Sequence, residues 1–132
     1  MFKEYRVLLV LLLCLVLKIS VASARRIGGV EPISIENSRV KSAAEHAMKK
    51  INKNTHGERT FILVEIEEAK YQVVAGFKYI LRLKVGETNC LREQSTKKCK
   101  LDESRPYQAC QAEIWDQPWL EIREIHYNCN KY

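Results

Sequence analysis

The change in hydrophobic period near Gly57 constrains the fold of this chain more than any other feature. Before this glycine, apolar residues recur at i, i+3, i+4, i+7, i+8 and i+11, which predicts one amphipathic helix over residues 36–53. Asn54 and Gly57 are suitable residues to end it. The apolar stripe consists of Val40, Ala43, Ala44, Ala47, Met48 and Ile51. A helix with a single apolar stripe has to bury it against another element.

Everything after Gly57 has the composition and period of β-strands. The predicted strands, which are rich in β-branched and aromatic residues or alternate between apolar and polar ones, are 61–66, 77–85, 110–115 and 120–127. In the last strand the alternation changes phase between Ile122 and Ile125, where we expect a β-bulge. We assign three aromatic residues to packing of the sheet: Phe77, Tyr79 and Trp115.

The remaining segments are predicted to be irregular. Residues 25–33 contain two glycines and a proline and show no period, which predicts an extended, flexible arm. Residues 87–106 are polar and charged and predict an irregular connection. One helix and about four antiparallel strands give two layers, so the predicted fold class is α+β, with the helix packed across one face of the sheet.

The first 24 residues have the pattern of a secretory signal peptide. Lys3 and Arg6 give a positively charged start, and residues 7–17 form an uninterrupted apolar run. Residues 22–24 (Ala-Ser-Ala) supply the small side chains of a cleavage site. The alternative is a membrane anchor, but 11 apolar residues are too few for a span of about 20. We therefore expect a secreted, extracellular protein.

The rest of the chain, 25–132, has 108 residues and suits one domain with one hydrophobic core. Removal of the signal lowers the formal net charge from +6 to +4, because that segment carries Lys3, Arg6 and Lys18 against Glu4. The charges are interspersed along the predicted helix and strands, without a dense basic run and interleaved aromatic residues. We expect no nucleic-acid partner, and no membrane contact after signal removal.

Cysteine usage agrees with export. Cys14 leaves with the signal, and the four that remain are Cys90, Cys99, Cys110 and Cys129. An even number in an exported domain predicts disulfides, with three possible pairings. The sequential pairing, Cys90 with Cys99 and Cys110 with Cys129, would close two local loops of eight and 18 intervening residues. Because no two cysteines have the short C-x2-4-C spacing of metal sites, we expect no metal.

Short uncharged segments lie at two predicted turns and at Gly28 in the arm. Residues 72–76 (Gln-Val-Val-Ala-Gly) lie between two strands, and Pro118-Trp119 lies at the following turn. Exposed apolar tips usually mean that a partner covers them. If the strands are neighbours in one sheet, both turns project from the same edge, and the arm with Gly28 reaches that edge as well. The sequence predicts a row of three protrusions that form a binding edge.

These features resemble a known family, the secreted cystatins. The resemblance covers Ile27 to Cys129, and its motifs are Gly28 in the arm, Gln72-x-Val74-x-Gly76 in the first hairpin, Pro118-Trp119 in the second, the order of the four cysteines and the single N-terminal helix. It implies a cystatin-like fold, in which an antiparallel sheet of four to five strands wraps around the helix. It also implies two disulfides in the C-terminal part of a monomer that needs no cofactor.

The resemblance further implies reversible, tight inhibition of papain-like cysteine proteases such as the cathepsins, by occlusion of the active-site cleft. Val73, Val74 and Ala75 would enter the cleft near the catalytic centre. Gln72 and Gly76 would fix the turn. Gly76 has no Cβ, so it permits a positive φ and close approach of the enzyme wall.

The other two protrusions would bind on either side of the first hairpin. Trp119, preceded by the rigid Pro118, would lie on the leaving-group side of the cleft, since large aromatic residues are common interface anchors. Ile27 would fill the apolar pocket that normally receives a substrate side chain. Gly28 would let the arm bend, so that no peptide bond reaches the nucleophile.

Two departures from the family pattern concern selectivity. Arg26 stands before Ile27, where family members often carry an apolar residue, and this is expected to change which proteases are preferred. Some relatives also inhibit legumain through an Asn in a segment after the helix. The corresponding residues 54–57 (Asn-Thr-His-Gly) do not match that segment, so we expect this second activity to be absent.

Two other classes of function compete with protease inhibition. An enzyme is disfavoured, because the sequence has no nucleophile, metalloprotease or phosphate-loop motif, and its only histidines are His46, His56 and His126. The second is a cystatin-fold host-defence or receptor-binding module. Cathelicidin precursors of this architecture carry a cationic peptide beyond the last cysteine, whereas only three residues follow Cys129 here. The intact three-part edge favours an inhibitor.

Overall fold

The structure, a computed structural model, describes residues 2–24, 28–92 and 98–131, with side chains described through residue 15 in the first of these ranges. The elements in chain order are α1 (Phe2–Ala24), β1 (Val30–Pro32), α2 (Ser38–Asn54), β2 (Arg59–Val74), β3 (Gly76–Leu91), β4 (Gln108–Gln117), a 3-10 turn (Pro118–Leu120) and β5 (Ile122–Lys131). None of the helices in the described part of the chain is both long enough and apolar enough to span a membrane.

The amphipathic helix predicted over residues 36–53 is α2, which begins two residues later and ends one residue later. The side chain of Asn37 caps its start by accepting a hydrogen bond from the Arg39 amide at 2.9 Å. At the other end, the Thr55 amide donates to the Ile51 carbonyl. All six residues of the predicted apolar stripe are buried in the core. The stripe therefore faces the sheet, as its period requires.

The five strands form one antiparallel sheet in the order β1-β2-β3-β4-β5. The alternation predicted for β3 and β4 is confirmed, because their core-facing residues are buried: Tyr79, Leu81, Leu83, Val85, Cys110, Ala112 and Ile114. β2 departs from one-to-one pairing with β3 at three places along its length. Such bulges bend and twist a strand, which lets the sheet curl around α2. The predicted α+β, cystatin-like fold is confirmed.

Part of the predicted flexible arm is a strand. Val30 pairs with Gln72, and Pro32 pairs with Lys70, so β1 adds to the edge of the sheet beside β2. The Ile33 amide then donates to the Ala69 carbonyl at 3.1 Å. Proline is tolerated here because an edge strand has one side without a ladder partner. A three-residue strand is too short to show a period, so no local pattern predicts it.

The prediction of a β-bulge in the last strand is wrong. β4 and β5 pair one-to-one from Gln108 opposite Lys131 to Gln117 opposite Ile122. Ile125, Tyr127 and Cys129 alternate toward the core, whereas Ile122 begins the strand and is exposed. Ile122 has the opposite parity to these core-facing residues, so its exposure on the other face follows from the pleat alone.

The connection predicted over 87–106 is partly regular. β3 continues to Leu91, Thr88 is buried, and it forms a bridge with Leu101. Cys90 and Cys99 form one disulfide and Cys110 and Cys129 the other, so the structure has the sequential pairing. The second bridge joins directly opposite residues of β4 and β5, with 4.0 Å between their Cα atoms. Both bridges hold the half of the sheet that is built from the C-terminal part of the chain.

Candidate functional site

The register of the sheet brings the predicted protrusions to one end of the molecule. β2 ends at Val74 and β3 begins at Gly76, so Ala75 alone makes the first turn. Phe77 is opposite Asp116, which places the second turn beside the first. On the other side, the register of β1 against β2 places Gly28 next to Gln72.

We call Gly28, residues 72–76 and Pro118-Trp119 the tip edge. Ile27, which was predicted to belong to it, lies outside the described residues.

Apolar side chains of the tip edge are exposed. Val73 is 53% exposed, Val74 38% and Trp119 62%. Ala75 and Pro118 are exposed as well, and no residue of the tip edge carries a charge. Trp119 thus lies outside the core, on the 3-10 turn. Several exposed apolar side chains at one end of a small domain indicate an interaction site.

Gly76 has a positive φ, +91°, which the absence of a Cβ permits. The close approach at this glycine is made by the chain itself. A Cβ at this position would overlap the backbone carbonyl oxygen of Asp116 and lie 3.1 Å from the carbonyl carbon. Gly76 is buried for the same reason. The first hairpin can pack directly on the backbone of the second only because this residue has no side chain.

Gly28 also has a positive φ, +86°, but for a different reason. Apart from its chain neighbours, no described residue has an atom within 4 Å of a Cβ built on Gly28, so the backbone conformation, and not space, favours glycine here. Its carbonyl accepts a hydrogen bond from the Gln72 side-chain amide at 2.6 Å. Gln72 therefore ties the arm to the first hairpin, in addition to pairing in β2.

Trp115 takes part in the site, although the sequence placed it with packing residues only. It is half-buried on β4, and its indole N–H donates to the Ala75 carbonyl at 2.8 Å. The bond joins the second hairpin to the apex of the first. Its position three residues before Pro118 was the only signal in the sequence. Tyr79 is buried as predicted, and Phe77 is half-buried beneath the Arg39 guanidinium, 5.6 Å from the ring centre.

Charged groups lie behind the tip edge. Asp116 pairs with Arg123 at 3.6 Å, at the base of the second hairpin. A cleft of about 440 Å³ separates these residues from the first half of α2. His46 of α2 lines the cleft, with its Nε2 atom 2.7 Å from a guanidinium nitrogen of Arg123. The contact connects the helix to the base of the second hairpin.

The pKa of His46 is lowered from its ordinary value of 6.5. Burial is the largest cause, followed by the positive charges of Arg123 and Lys49, whereas Asp116 and Glu45 act in the opposite direction. The neutral ring is thus favoured, and its Nε2 can accept a hydrogen bond from Arg123. Protonation would place two like charges in contact and would remove this acceptor.

We expect acid to destabilise the fold through His46. In the unfolded chain this residue titrates near 6.5, whereas in the folded protein its pKa is lower. As the pH falls below 6.5, the unfolded chain takes up a proton that the folded protein refuses, so stability is lost until the pH passes the folded pKa. The measurement is the urea midpoint at pH 7.5 and pH 5.5. The control is His46→Gln, which keeps an acceptor for Arg123 but cannot titrate. An equal fall in both proteins would contradict the assignment.

Comparison with known proteins identifies the family. The family model described as cystatin domain matches residues 28–119. Cystatin cpi-1 of Brugia malayi is 31% identical over 93 residues, which is 68% of this chain and 73% of that protein. A cystatin of Oxyuranus microlepidotus is 31% identical over 113 residues, covering 78% and 80%.

Solved structures agree with this fold. The crystal structure of Al-CPI has a TM-score of 0.76 at 26% identity, covering 80% of this chain and all of that one. Dimeric human cystatin F has a TM-score of 0.71 at 26% identity, covering 81% and 90%. A sheet wrapped around one helix, with an apolar tip edge, defines a protein of the cystatin class. The chain belongs to the cystatin family. Members of this family are protease inhibitors and not enzymes. The general function of this chain is therefore protease inhibition.

Proposed function

We propose that this protein is a reversible, tight-binding inhibitor of papain-like cysteine proteases, which it blocks by inserting the tip edge into the active-site cleft. The observation that supports this most strongly is the alignment of Val73, Val74 and Trp119, all uncharged and exposed, at one end of the sheet. A protease cleft is a long groove, and a row of apolar tips is complementary to a groove in shape.

Each part of the tip edge has its own role in this proposal. Val73, Val74 and Ala75 enter the cleft at its centre, next to the catalytic thiol. Trp119 binds on the leaving-group side, where its exposed ring supplies a large and rigid contact surface. Because the first turn is held by the pairing of β2 with β3, which continues up to Val74 and Gly76, and by the packing of Gly76 against Asp116, little conformational entropy is lost on binding.

The arm occupies the other side of the cleft. Ile27 fills the pocket that receives a substrate side chain, and Gly28, with its positive φ, turns the chain away from the nucleophile. The protease thiolate therefore meets no correctly placed carbonyl, and the inhibitor is not cleaved. This wedge mechanism needs no covalent step, which is why the inhibition is reversible.

The protein is proposed to act outside the cell as a monomer. Residues 1–24 would be removed as a signal peptide and would leave the domain at 25–132. Two disulfides in the domain are consistent with an oxidising compartment. The expected partners are secreted or lysosomal enzymes of the papain class, including the cathepsins.

Titration of papain and cathepsin L with residues 25–132 tests the proposal. We expect nanomolar or tighter inhibition, with trypsin unaffected because its cleft and nucleophile differ. A variant that lacks residues 25–28 is expected to bind at least about 25-fold more weakly, since the loss of one interface anchor costs about 2 kcal/mol or more and each 1.4 kcal/mol is tenfold. Absence of papain inhibition at micromolar concentration would reject the function. Undiminished inhibition by the truncated variant would reject the role of the arm.

A further inference from the structure

The apex of the first hairpin is fastened to its neighbour by one side chain. Ala75 is the single turn residue, and its carbonyl accepts the indole N–H of Trp115 at 2.8 Å. The two residues are 40 positions apart in sequence. The bond therefore joins one hairpin to the other, and the apex carbonyl points toward β4.

The two hairpins also touch through their backbones at the neighbouring residue. Gly76 packs against the Asp116 carbonyl, and Asp116 follows Trp115 in β4. The contact at Gly76 sets how close the hairpins lie, whereas the Trp115 bond sets how the apex peptide is rotated. The indole N–H is a donor only, so an apex that rotated its carbonyl outward would break this hydrogen bond.

We propose that Trp115 is a positioning residue for protease inhibition: its indole N–H holds the Ala75 carbonyl, and so presents Val74 and Ala75 to the cleft in line with Trp119. The inference rests on the proposed function, since it concerns the same tip edge. Trp115 itself does not touch the protease. It raises affinity by fixing the free inhibitor in its bound shape, which reduces the entropy that binding removes.

The chain supplies an internal control, because it has only two tryptophans. Trp119 is exposed, and no described residue accepts a hydrogen bond from its indole. In a nitrogen-15 NMR spectrum of the protein expressed from the full-length chain, we expect the Trp115 indole proton to exchange slowly with water and the Trp119 proton to exchange fast. Equal, fast exchange of both indoles would overturn the proposed bond without any reference to a protease.

Substitution then tests what the bond does. Trp115→Phe keeps an aromatic ring and removes the donor. The benzothienyl analogue of tryptophan, inserted at position 115 by nonsense suppression, keeps the bicyclic shape and also removes it. Both variants are expected to inhibit papain about three- to tenfold more weakly, the share that one hydrogen bond typically contributes, mainly through slower association. Unfolding of the analogue should stay close to that of the unmodified protein, which a purely structural role would not predict.

The outcomes separate this inference from the function on which it rests. Slow indole exchange together with weaker inhibition by both variants supports it. Unchanged inhibition by the benzothienyl variant overturns the positioning role, even if the unmodified protein inhibits papain at nanomolar concentration. Failure of the unmodified protein to inhibit rejects the proposed function and the positioning role together, while the exchange rates still decide whether the bond exists.

Discussion

Replacing Val74 and Trp119 by aspartate is expected to weaken inhibition of papain by at least about a thousandfold. Both side chains are exposed in the free protein, so the charges cost little there. In the complex the two aspartate carboxylates would lose their hydration inside the cleft without gaining a positively charged or hydrogen-bonding partner. Each interface anchor is worth 2 kcal/mol or more, and each 1.4 kcal/mol is tenfold, which gives about three orders of magnitude for the pair. The measurement is the inhibition constant of the double variant.

A matched control for this experiment lies on the same strand. Val64 is 37% exposed, close to the 38% of Val74, but it lies ten positions before Val74, the last residue of β2, and so away from the tip edge. Val64→Asp should inhibit papain as well as the unchanged protein does. Retained nanomolar inhibition by the double aspartate variant, or an equal loss in Val64→Asp, would show that the tip edge is not the contact surface.

Gly76→Ala is expected to lower both stability and inhibition. A Cβ on this residue overlaps the Asp116 carbonyl oxygen, and the backbone φ of +91° is rarely adopted by residues with a side chain. A strained backbone of this kind costs about 1–3 kcal/mol, and the overlap forces the hairpins apart as well. We expect a lower urea midpoint and a loss of inhibition of about tenfold or more, since the apex can no longer align with the second hairpin.

Gly57→Ala is the comparison for Gly76→Ala. Around Gly57 the nearest atoms lie 4.0 Å from a Cβ, and its φ is not in the positive region. This variant should unfold at the same urea concentration as the unchanged protein, or slightly higher, because alanine restricts the unfolded chain. If Gly76→Ala behaved like Gly57→Ala in both measurements, the direct packing of the two hairpins would not be what holds the tip edge.

The periodicity of the sequence predicted most of the fold, because burial on one face leaves a repeat that can be counted. The apolar stripe from Val40 to Ile51 is buried as predicted, and so are the alternate apolar residues from Tyr79 to Val85. Features without a repeat were missed. β1 has three residues, and its pairing with Gln72 depends on a distant segment of the chain. The change of phase between Ile122 and Ile125 predicted a β-bulge, whereas Ile122 is exposed at the start of β5 and the strand pairs without a bulge.

The sequence predicted which residues form the candidate site, but it did not predict the contacts among them. Uncharged tips at Val74 and Trp119 are visible in the sequence, because apolar turns are uncommon in solvated loops. The bonds from Gln72 to Gly28 and from Trp115 to Ala75 join segments 44 and 40 residues apart, and no local pattern reports them. The partner of Gly76 was likewise expected to be an enzyme wall, whereas it is the backbone of Asp116.

The central claim is that one end of the sheet, and no other surface, enters the protease cleft. Hydrogen exchange of the protein alone and in complex with papain, read by mass spectrometry, measures this directly. We predict slower exchange in the complex at Gly28, at residues 72–76 and at Trp119, with an uncleaved inhibitor chain and unchanged exchange at residues 98–105. Protection confined to the outer face of α2 or to residues 98–105, or cleavage within 72–76, would contradict the account.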